Sequence, residues 1–367
     1  MKINRRTLLG TGAAWTLAAG FPRLASAYGS FNPQPDAWRS FEIKTKIEVS
    51  IADGVKQAWV PVPSVNEADW FKSLGSTWTS NGRAVLGQDT KYGAQFVHVE
   101  WRADERAPVV EVVSKIATRD RVADLSKPGS AEPLSAAEHR LYTEGTELIP
   151  VDGIVKQTSD KITASAKTDI DKVGAIYSWI VENTYRDGNV RGCGIGDIAS
   201  LLKSGNLGGK CADLNALYVG LVRAAGIPAR DVYGIRIAPS RFGYKSLGAN
   251  SQVITKAQHC RAETYLAGFG WVATDPADVR KVMLEEPPGH LPLDNPKVVD
   301  ARITLLGGWE GNWLAYNVGH DIGLPGSQGP KLGFLMYPQV ECAGSRLDCL
   351  APETVKYEIT ARELPAT

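Results

Sequence analysis

Gly208-Gly209-Lys210-Cys211-Ala212-Asp213-Leu214-Asn215-Ala216-Leu217-Tyr218-Val219-Gly220-Leu221-Val222-Arg223-Ala224-Ala225-Gly226-Ile227-Pro228 organises the reading of this chain. Leu214, Leu217, Tyr218, Leu221 and Val222 recur at i, i+3, i+4, i+7 and i+8, the stripe of a half-buried helix. Gly226 supplies a C-terminal cap and Pro228 blocks continuation. Cys211 therefore falls at the helix N-terminus, where unpaired N–H groups and the positive end of the helix dipole stabilise a thiolate. Gly208 and Gly209 before it allow a tight turn and leave room for a substrate. A lone cysteine at such a place reads as a buried structural residue, since free Cys is among the most buried types. A second stretch, 48 residues on, changes that reading.

Gln258-His259-Cys260-Arg261-Ala262-Glu263-Thr264-Tyr265-Leu266, Ala267-Gly268-Phe269-Gly270 and Trp271-Val272-Ala273-Thr274-Asp275-Pro276 read as a β-hairpin with a glycine-containing loop. A loop centred on Gly268 sets Asp275 opposite Arg261, on the sheet face that carries His259. Diagonal neighbours of this kind lie about 7–8 Å apart, which a carboxylate and an imidazole can span. One hairpin can thus present a histidine and the acid that orients it. Set against the start of the Cys211 helix, the three make nucleophile, base and orienter.

The order G-x-C, helix, G-I-P-A-R, then H-x-x-x-E-x-Y-L-x-G-x-G-W-V-x-x-D-P resembles the transglutaminase-like superfamily, the papain-related group with a Cys-His-Asp triad. The matching positions are Gly209, Cys211, Gly226 to Arg230, His259, Glu263, Tyr265-Leu266, Gly268, Gly270 to Val272 and Asp275-Pro276, within residues 165–280. Cys260-Arg261 departs from the Ala-Trp of many members, which leaves the triad intact but alters the cleft. The resemblance implies Cys211 as nucleophile, His259 as base and Asp275 as orienter. It also implies an α+β fold with a papain-like core, a catalytic helix packed on an antiparallel sheet, with no cofactor and no metal.

The 367 residues are 43% hydrophobic and 22% charged, an ordinary globular composition large enough for two or three structural units. Basic and acidic residues nearly cancel, 41 against 40, and no basic run suits nucleic acid or an anionic membrane. Asn4-Arg5-Arg6-Thr7-Leu8-Leu9, a Gly/Ala-rich apolar stretch and Ala25-Ser26-Ala27 make residues 1–27 a twin-arginine-type signal peptide with an A-x-A cleavage site. No cysteine follows that site, which disfavours a lipid anchor. The expected location is periplasmic or secreted.

Residues 28–130 are expected to form a β-sandwich-like module. Phe41 to Val49 alternates apolar with polar, Lys56 to Val62 is an apolar run cut by Pro61, and Gln95–Trp101 and Val109–Val113 are strand-like. Arg119, Asp120, Arg121 and Asp124 read as a solvated face, and Ser126 to Pro133 as a linker. Residues 131–290 form the catalytic unit. Thr168 or Asp169 caps a helix whose stripe is Val173, Ile176, Tyr177, Ile180 and Val181. The glycine-dense Arg191 to Asp197 lacks the context of a phosphate loop and reads as a cleft wall; Ser240–Ser251 reads as a mobile loop over the site. Residues 291–367 form a β-rich extension packed on the catalytic unit. Its Gly308 to Trp313 segment reads as core rather than as an aromatic patch for glycan or peptide.

Of five cysteines, one must stay unpaired in an oxidising compartment. With Cys211 free, the expected bridges are Cys342–Cys349 and Cys193–Cys260. Cys193, Cys211, His259 and Cys260 are a conceivable zinc set, but they lack the short paired spacing of structural zinc sites. His98, His139, His290 and His320 show no pairing pattern.

The expected chemistry is acyl transfer through a thioester on peptide or carboxamide bonds. Water as acceptor makes a peptidase or amidase; an amine makes a transglutaminase. An exported protein works in water, and nothing resembles a calcium loop, so hydrolysis of a protein or peptide is expected, with cell-wall peptides among the candidates by location. A non-catalytic scaffold on the same fold and a redox role for the thiols are the other readings; the absence of C-x-x-C weakens the second.

Overall fold

The computed structural model describes residues 31–50, 54–351 and 355–365. The expected signal peptide, residues 1–27, lies outside the described residues. The alternation read at Phe41 forms strand Arg39–Glu48, with Phe41, Ile43, Thr45 and Ile47 turned inward. It lies between Val109–Thr118 and Lys356–Glu363 in a four-stranded sheet that ends on Phe71–Ser80. A five-stranded sheet faces it, built on Lys56–Val62, Gln95–Trp101 and Arg83–Gln88, with Gln339–Cys342 and Ser345–Arg346 at its other edge. Ile47, Val60, Val97, Val99, Val110, Val112 and Val340 interdigitate between the two, so the N-terminal module is a sandwich.

Lys56–Val62 runs straight through Pro61. Its neighbour Gln339–Cys342 pairs only as far as Trp59, so the missing proline N–H falls beyond that ladder. Strand Phe71–Ser80 is polar along most of its length and lies at a sheet edge, where no burial imposes an apolar pattern.

The second unit is helical on one side of a six-stranded sheet. The central helix spans Cys211–Ala224 and ends at Gly226, whose φ is +84°. It packs across strands Ala229–Arg236 and Gln258–Leu266, and helices Gly153–Thr163, Asp169–Asn183 and Pro276–Glu285 surround it. The expected stripe is buried, but so are Ala216, Val219, Gly220 and Arg223 on the other face. Neighbours close on every side, so this is a core helix rather than a half-buried one. Asp169–Asn183 begins as read: Thr168 accepts from the Asp171 N–H, and Val173, Ile176, Tyr177, Ile180 and Val181 are buried.

The C-terminal stretch divides. Leu306–Trp309 and Trp313–Asn317 extend the six-stranded sheet, whereas Gln339–Cys342 and Lys356–Glu363 join the sandwich sheets. Trp309 and Trp313 are core residues, with the Arg261 guanidinium over both rings. Of the supposed solvated face at 119–124, Asp124 is exposed beside Lys127, but Asp120 and Arg121 lie in a seam between the units. Arg121–Val122 pairs with Leu306–Trp309, Arg121 binds Glu263 and the Trp271 carbonyl, and buried Asp120 accepts from the Gly311 N–H at 2.9 Å. Asp120 is buried and Arg121 nearly so, and each has a partner across the seam. No helix among the described residues is long and apolar enough to cross a membrane.

Candidate active site

Cys211 is the first residue of its helix and is 3% exposed. Its own N–H belongs to the first turn, which has no intrahelical acceptor. Asp213 ties this helix start to the glycine-dense loop. Its carboxylate accepts from the Lys210 N–H at 2.9 Å and from the Ile195 and Gly196 N–H groups at 2.9 and 3.0 Å. Gly194, at φ +95°, lies against that carboxylate where any Cβ would overlap it. Gly208 and Gly209 do not turn; they form a short parallel bridge with Tyr185-Arg186. Glycine is needed at 209 because a Cβ would sit 2.6 Å from the Asp213 Cβ.

The hairpin register pairs Ala262 with Thr274 and Tyr265 with Trp271, centring the turn on Gly268. Asp275 then falls opposite Arg261, and its Oδ2 lies 2.7 Å from His259 Nε2. Asp275 also N-caps helix Pro276–Glu285: its Oδ1 accepts from the Asp278 N–H at 3.0 Å and from Asn215 Nδ2 at 3.1 Å. Asn215 sits one helical turn from Cys211, and also donates to the Cys260 carbonyl at 2.9 Å and accepts from the Ala277 N–H. A second acid, Asp278, reaches His259 Nε2 at 3.3 Å and Arg236 at 2.5 Å. Trp313 Nε1 donates to the His259 carbonyl at 2.9 Å. With Nε2 held by acids, Nδ1 is the imidazole nitrogen left for Cys211.

Electrostatics follow from this packing. Burial and the nearby Arg236 disfavour the imidazolium, but Asp278 and Asp275 outweigh them and push His259 up to about 9. Hydrogen bonds from the Cys193 and Cys260 thiols, and then from His259, hold Cys211 well below the usual thiol range despite burial. Cys193 is raised by that bond to Cys211 and by burial; Cys260 is raised by burial and by Cys211. Of the three neighbouring thiols Cys211 is the one inclined to ionise, and the Cys193 thiol also reaches the Gln258 carbonyl at 3.3 Å.

That arrangement corrects the expected disulfides. All five cysteines are free thiols. Cys193 and Cys260 each engage Cys211 rather than one another. Cys342 pairs across its hairpin with Ser345, and the turn carries Cys349 past it to the cavity wall.

Among the described residues, the His, Cys, Asp and Glu ligand atoms that cluster within 4.8 Å are those of His259, Asp275 and Asp278. Their oxygens already serve His259, Asn215, Arg236 and a backbone N–H, which is the arrangement of a group holding an imidazole. The site opens into a cavity of about 710 Å³, with Cys193, Gln258 and His259 in its wall. Gln258 Nε2 is buried there with no hydrogen-bond partner. Of residues 240–251, Gly248 to Ser251 wall the cavity, and the segment before them is held by buried contacts. Ser246 binds Glu286 through N and Oγ, and Arg236 donates to the Leu247 carbonyl at 2.6 Å.

Asn215, Asp278, Arg236 and Gln258 were not singled out from the sequence. Signals existed for two of them. Asn215 is the polar residue four after Cys211 in an otherwise apolar helix, and Asp278 is the third helical residue after an Asp-Pro start. Arg236 and Gln258 owe their places to strand pairing.

Fold and site together define an α+β protein built around a thiol, an imidazole and a carboxylate in series. Residues 156–276 match the Transglutaminase-like superfamily. An uncharacterized protein of Haemophilus influenzae is 36% identical over 329 residues, 85% of this chain and 88% of that protein. A proposed cysteine protease from Cytophaga hutchinsonii shares the fold, with a TM-score of 0.51 and 16% identity over 89% of this chain and 99% of that one. The periplasmic domain of TgpA from Pseudomonas aeruginosa is similar over 66% of this chain and 88% of that one, at 14% identity and a TM-score of 0.34. The chain belongs to the transglutaminase-like superfamily.

Proposed function

We propose that this protein is a cysteine-dependent acyl-transfer enzyme that hydrolyses peptide or carboxamide bonds through a Cys211 thioester. One observation carries the reading: a depressed thiol at a helix N-terminus meets an imidazole held at 2.7 Å by a buried carboxylate, inside a cavity. In the resting site Cys211 is a thiolate and His259 an imidazolium. The thiolate attacks the carbonyl carbon and the oxygen becomes an oxyanion. The Cys211 N–H, at the start of its helix, is one donor to it. His259 gives its proton to the leaving amine, the C–N bond breaks, and a thioester remains. Neutral His259 then takes a proton from water as its oxygen attacks the thioester. The acid departs and the thiolate and imidazolium are restored. Asp275, held by Asn215 and the helix N-terminus, keeps the imidazole oriented throughout.

Export, expected from residues 1–27, would supply water as the abundant acceptor. The test is a rapid quench with a peptide mixture in ¹⁸O water, read by mass spectrometry. Hydrolysis predicts an acyl adduct on Cys211, absent in Cys211→Ala, and ¹⁸O in the product carboxylate. Isopeptide products formed with an added alkylamine, in preference to ¹⁸O acids, would make it a transglutaminase. No adduct on Cys211 would overturn the enzyme reading.

A further inference from the structure

The chain as a whole is nearly neutral, with 41 basic and 40 acidic residues, but the cavity over Cys211 is not. Arg186, Arg191, Lys210, Arg236, Lys256 and Lys281 line it, and no Asp or Glu among the described residues does. Four of these cations are matched from behind the wall. Arg236 is held by Asp278, Arg186 and Lys281 share Glu285, and Arg191 pairs with Asp348 at the exposed rim. Lys210 and Lys256 have no carboxylate partner among the described residues. Both lie next to the reacting groups in the chain: Lys210 immediately precedes the nucleophile, and Lys256 is in the turn that leads to His259. Burial first, and then the nearby Arg236, pulls Lys281 down to about 8. Tyr337, Leu350 and Tyr357 supply an apolar wall.

We propose that the substrate of this site is an acidic peptide, one that brings a carboxylate to Lys210 and Lys256 beside the carbonyl that Cys211 attacks. The inference rests on Cys211 as the reactive nucleophile. A cationic, partly enclosed cleft concentrates anions and raises their encounter rate by about tenfold or more at low salt. A neutral peptide would leave the two lysines uncompensated; a basic one would be repelled.

The test compares alkylation of Cys211 in the full chain by iodoacetate, which is anionic, and by iodoacetamide, which is neutral. Both displace iodide through the same sulfur–carbon bond, so the ratio of rates reads charge alone. The expected ratio, relative to a small free thiol, is raised about tenfold. It falls in Lys256→Gln and in Lys210→Gln, and falls with added salt. Protection from iodoacetamide then identifies the source of the carboxylate. The probes are an amidated glutamyl peptide, its glutaminyl counterpart with a free C-terminus, and a glutaminyl peptide amidated throughout. At least one of the first two should protect and the last should not. A Cys211 inert to both reagents would overturn the nucleophile reading on which this rests. A reactive Cys211 with the ratio of a free thiol, unchanged in both lysine variants, would overturn the acidic substrate alone.

Discussion

At the scale of single residues the site is a chain of dependence running outward from sulfur. The surroundings of Cys211 pull its thiol down, Asp278 and Asp275 push His259 up, and Asp275 is placed by Asn215 and by capping its own helix. The folded His259 value of about 9 lies above its ordinary 6.5, so its pairing stabilises the fold fully below pH about 6.5. That contribution is lost as pH rises through about 9. Activity should therefore hold across neutral pH and decline above about 9, when no imidazolium remains to protonate the leaving amine. Asp275→Asn keeps the shape but removes the charge; kcat should fall about 10²-fold or more, and the alkaline limb should move to lower pH. Asn215→Ala should lower kcat with KM nearly unchanged and displace the same limb, at a cost of about 1–3 kcal/mol for the buried groups left unpaired. A loss of stability with an unaltered pH profile would assign Asn215 to packing alone. Period-two alternation made the pairing of His259 with Asp275 legible in the sequence, whereas the approach of Cys211 to them was expected from the family resemblance. Cys193 and Cys260 were misread as a disulfide, because cysteine counting weighs compartment and number but cannot see which thiols flank a third. Cys193→Ser replaces one S–H donor, and the Cys211 alkylation midpoint should shift measurably from that of the parent.

At the scale of elements, the helix that carries Cys211 and the hairpin that carries His259 and Asp275 were both readable, the second to its register. Their partners were less so. A 3.6-residue stripe shows which face of a helix must be covered, not whether neighbours will cover the other one as well. Around Cys211–Ala224 they do, with Ile198 and Ile149 packed against Gly220. Leu217→Ala, at a fully buried position, should cost about 2–5 kcal/mol in denaturant unfolding. The loop before the helix is tuned more finely. Gly194→Ala would drive a methyl into the Asp213 carboxylate and strain a left-handed backbone. Slower Cys211 alkylation together with a lower Tm is expected. An unchanged alkylation rate would show that the loop is not needed to hold the thiol. Strand Phe71–Ser80 escaped the sequence because an edge strand with a wet face carries no alternation to find.

At the scale of the whole molecule, the chain closes on itself. Strand Lys356–Glu363 returns to pair with Arg39–Glu48, and residues just before it, Leu350 and Val355, help wall the cavity. This long-range closure is invisible to local patterning, which is why residues 291–367 read as one extension rather than as two halves serving different sheets. Removing residues 356–367 should expose the sandwich core at Ile47, Val340 and Val355, giving a chain that unfolds several degrees lower and loses activity. The two units thus hold a site whose central claim is a preformed thiolate–imidazolium pair. The most direct test is the rate of Cys211 alkylation by iodoacetamide as a function of pH, followed by mass spectrometry in the parent and in His259→Ala. The account predicts a midpoint well below the unperturbed thiol value of about 8.5, moved upward in the variant. A midpoint near that unperturbed value, the same in both proteins, would contradict it.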